Sequence, residues 1–143
     1  MNEVFEAAIA AVDQGEAGLI VLQGQETVFS AATPGIRAAL TLHDEMPELL
    51  QGAWIADRII GTAAGMIFSH GGAAAIYGSV MSREAKERLD ALGIPNRAGL
   101  LVEKIINRTG DGICPMEKAI AGCHDPEMGI PMLRAAVAQL MKT

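Results

Sequence analysis

Seventeen consecutive residues, Gly110 to Pro126, read GDGICPMEKAIAGCHDP and hold both cysteines of the chain and one of its three histidines. Thiols, an imidazole and carboxylates in so short a span are the ingredients of a metal site or a thiol-redox centre. The spacing argues for helix starts instead. Pro115 follows Cys114, and proline is favoured at the first residue of a helix. Glu117 stands three residues after Cys114, so Cys-Pro-Met-Glu has the spacing of a capping box with sulfur in the cap position. Cys123 falls at the far end of the same helix, and a rise of about 1.5 Å per residue puts the two sulfurs ~13 Å apart, too far for one metal or a disulfide. His124-Asp125-Pro126 repeats the cap-then-proline pattern with Asp125 as cap, and His124 has no partner at metal spacing. One thiol remains of interest: Cys114, at a helix N-terminus, where a thiol becomes a better nucleophile. The plainer reading is a half-buried thiol in a turn shaped by Gly110 and Gly112, with Glu117 engaged in reciprocal capping rather than acting as a base.

A second group of candidates lies upstream. Asp57 sits in the apolar run AWIADRIIGTAAGMIFSH, residues 53–70, where an unpaired carboxylate is expensive. Either Arg58 or another cation pairs it, or it lines a pocket. Arg58 itself reads as a surface partner or as a holder of an anion. Ser82 reads as a helix cap first and a ligand donor second. Asn107 and Arg108 precede a glycine-rich turn and either close the edge of a pocket or simply make the turn. His70 ends a helix, where a cation is favourable, and His43 reads as an exposed helix residue. The eight methionines are core filler by default.

The elements that must position these residues follow from periodicity. Residues 2–14 carry Val4, Phe5, Ala8, Ile9 and Val12 on one helical stripe, with Asn2 as cap and Gly15 as stop. AGLIVLQ (17–23), a Gly24-Gln25 turn and ETVFSA (26–31) predict a β-hairpin. After the Thr33-Pro34-Gly35 break, residues 36–50 contain a helix halted before Pro47. Residues 53–70 read as a central helix with almost no polar face, as a buried helix would. AAAIYGSVM (73–81) is a buried strand. Ser82 caps the helix SREAKERLDALG, in which Glu84 and Glu87 pair with Lys86 and Arg88 on a solvated face, and Gly93 stops it. Residues 94–108 form either a short strand and a helix through LLVEKIIN, or two strands. Two proline-started helices follow, 115–122 and 126–141. The order predicts one domain over 1–143, a three-layer α/β/α arrangement with a mixed sheet.

Bulk properties bound the function. Half of the 143 residues are apolar, enough for a full core. A net charge of −6 and a pI near 5.0 disfavour binding to nucleic acid or anionic membranes. Residues 1–14 lack the basic start and cleavage pattern of a secretory signal, and no apolar run reaches the ~18 residues a membrane span needs. Two cysteines without a secretory context suggest reduced thiols in the cytoplasm.

Three segments, GAWIADRIIGTAAGM, YGSVMSREAKERLDALGI and NRTGDGICPMEKAI, resemble a small uncharacterised bacterial family with a cytidine-deaminase-like fold, over roughly residues 4–140. The resemblance implies that fold and brings little established function with it. Zinc deaminases start their second core helix with His-x-Glu and their third with Pro-Cys-x-x-Cys, residues that bind zinc and shuttle the proton. By order of elements the matching positions here are Ile55-Ala56-Asp57 and Met81-Ser82-Arg83-Glu84-Ala85. Ile55 and Ala85 offer zinc no ligand and Ser82 a poor one, so only an acid, Asp57, stands at the shuttle position. The family often has Lys where this chain has Thr62, which weakens any mechanism that needs an amine there.

Two helix N-termini converging where zinc would sit suit an anionic or carbonyl-bearing molecule. The expectation is therefore a small-molecule-binding domain without metal or other cofactor, enzymatic or not, for a nucleotide-like or anionic metabolite. Asp57 and Cys114 are its catalytic candidates, and Ser82, Arg58, Glu117 and Asn107 its ligand contacts. Two rivals stand beside it: a non-catalytic interaction or regulatory subunit with Ala/Gly-rich surfaces suited to homo-oligomer packing, and a thiol or sulfur carrier acting through Cys114.

Overall fold

Local signals set most element ends. Asn2 Oδ1 accepts a hydrogen bond from the Phe5 N–H at 2.8 Å and starts α1, Glu3–Asp13, as an N-cap asparagine should. The hairpin follows as β1, Leu19–Gln23, and β2, Glu26–Ala31. Then come α2, Ile36–Glu45, and a single 3-10 turn at Pro47–Leu49. The computed structural model describes residues 2–142.

The run predicted as one central helix is two elements, β3, Trp54–Ile60, and α3, Thr62–His70, with Gly61 between them. The reason is burial. β3 is buried on both faces at residues 55–57 and α3 from residue 62 to 68, so neither shows the alternation of apolar and polar residues that separates period 2 from period 3.6. β4, Ala75–Ser82, runs parallel to β3 and leads into α4, Arg83–Ala91, capped by Ser82. β5, Asn96–Val102, adds a third parallel strand. No helix follows it through residues 103–108; the chain instead forms a loop closed by an isolated antiparallel bridge between Ile106 and Ile113. α5, Pro115–Ala119, is shorter than predicted, and α6 spans Pro126–Met141.

The sheet has the order β2-β1-β3-β4-β5, with β1 antiparallel to both neighbours and β3, β4 and β5 parallel. α1 covers one face through Phe5, Ala8, Ile9 and Val12, packed on Leu22, Ala56 and Tyr77. The larger core lies on the other face, under α2, α3, α4, α5 and α6. This is the mixed α/β/α arrangement expected. Ile55 and Ile60 both belong to the larger core, as do Ile76 and Met81. Each pair is an odd number of residues apart, so both strands must change face between them. The pairing steps from Asp57, Gly78 and Ala98 to Ile59, Val80 and Leu100, and leaves out Arg58, Ser79 and Gly99 between them. Such an irregularity frees backbone N–H groups that need partners.

No helix among the described residues is long and apolar enough to cross a membrane.

Candidate functional site

Glu117 does not cap its own helix. Its Oε1 accepts from the Thr62 N–H at 2.7 Å and from Thr62 Oγ1 at 3.0 Å, and its Oε2 accepts from the Ala63 N–H at 2.8 Å. A carboxylate thus occupies the first turn of α3, where free N–H groups and the positive end of the helix dipole favour an anion. Gly61 makes room for it, because a Cβ there would stand 2.5 Å from Glu117 Oε1. Cys114, one turn before Glu117, holds the N-cap position of α5 without a side-chain capping bond and is half-buried against the larger core. Its backbone N–H donates to the Ile105 carbonyl at 2.9 Å.

Asp57 stands on β3, not on a helix start, with Leu19 and Gly78 beside it in the sheet. It is almost fully buried. The Ile59 and Arg58 backbone N–H groups lie near its carboxylate, but the Arg58 N–H donates to the Gly18 carbonyl at 3.0 Å, and Oδ1 is buried without a hydrogen-bond partner. Burial raises its pKa to about 7, against the opposing pull of those two N–H groups and of the Arg58 charge. Arg58 gives one Nη2 hydrogen bond to the Ala17 carbonyl at 3.0 Å, while its Nε is buried and unpaired.

Ser82 is buried and its Oγ accepts from the Ala85 N–H at 3.2 Å, the capping role expected. Asn107 orders the loop that follows β5. Its Oδ1 accepts from the Gly110 and Asp111 N–H groups at 2.9 and 3.2 Å, and its Nδ2 donates to Asp111 Oδ1 at 3.1 Å. Asp125 caps α6 by accepting from the Glu127 N–H at 3.0 Å.

The helix start expected at Asp57 is not there: residues 54–60 are strand, and the second core helix begins only at Thr62. A cavity of about 480 Å³ lies between α3 and α4, with Thr62 of the first turn of α3 and Ala85 of the first turn of α4 in its wall. Met66, Leu89 and Leu92 supply apolar surface, and Arg88, His70 and His124 supply groups that can carry positive charge. Asp57, Cys114, Ser82, Arg58, Glu117 and Asn107 do not line it. Glu117 reaches its edge only through Thr62.

Arg88 is mostly buried; Nη1 donates to the Cys123 carbonyl at 2.9 Å and Nη2 to Glu84 Oε2 at 2.5 Å, leaving Nε without a partner. The sequence had shown only half of this: the Glu84–Arg88 spacing marks an ion pair across one helical turn, but not which wall it faces. Gly65 also gains a role. A Cβ built on it meets nothing within 4 Å, so this mid-helix glycine opens directly onto the cleft.

The DUF1893 domain of unknown function matches residues 7–137 of this chain. The chain belongs to that family. A crystal structure of a DUF1893 family protein from Thermotoga maritima superposes with a TM-score of 0.81 at 19% sequence identity, covering 97% of this chain and 91% of the other. At that identity the likeness is one of fold. No curated protein matches the chain.

Proposed function

We propose that this protein binds a small molecule between α3 and α4, an anionic or carbonyl-bearing metabolite with an apolar body. The observation that carries the reading is Gly65. A glycine inside a helix costs about 1 kcal/mol relative to alanine, and here the space beside it could hold a side chain without a clash. What the missing side chain leaves is cavity. The volume of about 480 Å³ falls within the range of roughly 300–1,000 Å³ typical of ligand sites. Met66 and Leu89 would take the apolar body, and Arg88, His70 and His124 the negative or carbonyl end. The binding reading assigns no bond-making step to Asp57 or Cys114, since neither lines the cleft.

A panel of nucleosides, nucleotides and formyl or acyl donors, read by calorimetry, tests the proposal. An anionic member is expected to bind wild-type protein. Arg88→Met should weaken it by about tenfold or more, the loss expected for a hydrogen bond to a charged group, and leave an uncharged analogue unaffected. Equal weakening of charged and uncharged members would show that Arg88 does not read the anion.

A further inference from the structure

His43 and His70 join α2 to α3 at a place where hydrogen atoms can be counted. His43 Nε2 lies 2.8 Å from His70 Nδ1, with the ring planes 28° apart and their centroids 5.0 Å apart, so the rings meet edge to edge. Each of the other two ring nitrogens meets a carboxylate: His43 Nδ1 is 2.9 Å from Asp44 Oδ1, and His70 Nε2 is 3.0 Å from Glu127 Oε1. His43 is therefore a bonded, largely covered residue rather than the exposed one its sequence context suggests.

An ionised carboxylate only accepts hydrogen bonds, so both carboxylate-facing nitrogens must carry hydrogen. Asp44 is held ionised by Arg134, whose Nε and Nη2 donate to its two oxygens at 2.7 and 2.6 Å. That bidentate contact takes the Asp44 pKa down to about 2. The contact between the two rings needs one further hydrogen. Three hydrogens then occupy four ring nitrogens, one more than two neutral imidazoles possess.

We propose that His43 and His70 hold one shared extra proton, and that this proton works as a pH-sensitive clasp fastening α6 to α2 and α3. Removing it leaves two lone pairs facing each other at hydrogen-bond distance, unless a ring abandons its carboxylate. Adding another sets N–H against N–H. The clasp is closed only between those two states. The surrounding charges suit a single added one: Asp44 on α2, and Glu127 and Arg134 on α6, make the chain Arg134–Asp44–His43–His70–Glu127 balanced when the pair carries one positive charge. Arg88 of α4 and His124 share the cleft wall with His70 and oppose a second proton there.

The ligand-free protein provides the test, so the outcome is independent of what the cleft binds. Nitrogen-15 spectra of the imidazoles near neutral pH are expected to show three protonated ring nitrogens over the pair; two would overturn the proposal. Urea unfolding is then followed from about pH 5 to about pH 8, the span in which imidazoles change charge, for wild type and a His43→Gln/His70→Gln variant. The ratio of their unfolding constants should pass through a maximum of about tenfold or more. A ratio that stays flat across this span would overturn it.

Discussion

Glu117 and Asp57 are the two carboxylates on which the interior depends, in opposite ways. Glu117 makes three hydrogen bonds to the start of α3 from a position 54 and 55 residues away in the chain. Hydrogen bonds to a charged group contribute about 1.5–3 kcal/mol each, but a shared set is less than additive. Glu117→Ala is therefore expected to cost roughly 3 kcal/mol, and Glu117→Gln clearly less; urea unfolding measures both. Asp57 is costly when ionised. Its pKa, about 7 when folded and near 3.8 for an ordinary aspartate, means the folded state binds its proton more tightly than the unfolded chain. The stability linked to that proton is full below about pH 4 and is lost as the pH rises through about 7, a fall on the order of 4 kcal/mol. Asp57→Asn keeps the size of the side chain and never ionises, so its stability should lack this fall. If the variant follows the wild-type pH profile, Asp57 is not the group responsible.

At the scale of elements, α3 is short, buried and open on one side. Gly65 lies in its interior with no atom near the place of a Cβ. Gly65→Ala should therefore stabilise the ligand-free protein by about 0.5–1 kcal/mol, through helix propensity and a less flexible unfolded chain. A thermal melt in which Gly65→Ala is less stable than wild type would mean that the space beside it is not free. Elements with local chemistry at their ends could be read directly from sequence: Asn2, Ser82 and Asp125 each cap the helix they precede, and Pro126 starts α6. β3 and α3 could not be separated that way, because a segment enclosed on all sides carries no polarity period. The partner of Glu117 was hidden for a different reason. A capping box and a long-range cap look alike in one dimension, and only packing decides which helix start receives the carboxylate. The cleft was half legible. A site between the second and third core helices is what the resemblance implied, whereas Arg88, His70, His124 and Gly65 meet only through the packing of α4 and the 123–126 segment on α3.

For the whole molecule, the charge of −6 and the arrangement of the cleft point to a specific local site rather than a broad electrostatic surface. An acidic protein repels anions in general, so an anion that binds must be drawn by groups gathered in one place, here Arg88, His70 and His124. The start of α3 at the edge of that place is already occupied by the Glu117 carboxylate. The measurement that tests this account most directly is calorimetric titration of wild type and Gly65→Phe with an anionic ligand found by screening. The account predicts a folded variant, since the ring enters existing space, and binding reduced by at least about a hundredfold, the loss of most of a small ligand's contact surface. Undiminished binding to a folded Gly65→Phe protein would place the ligand elsewhere and contradict it.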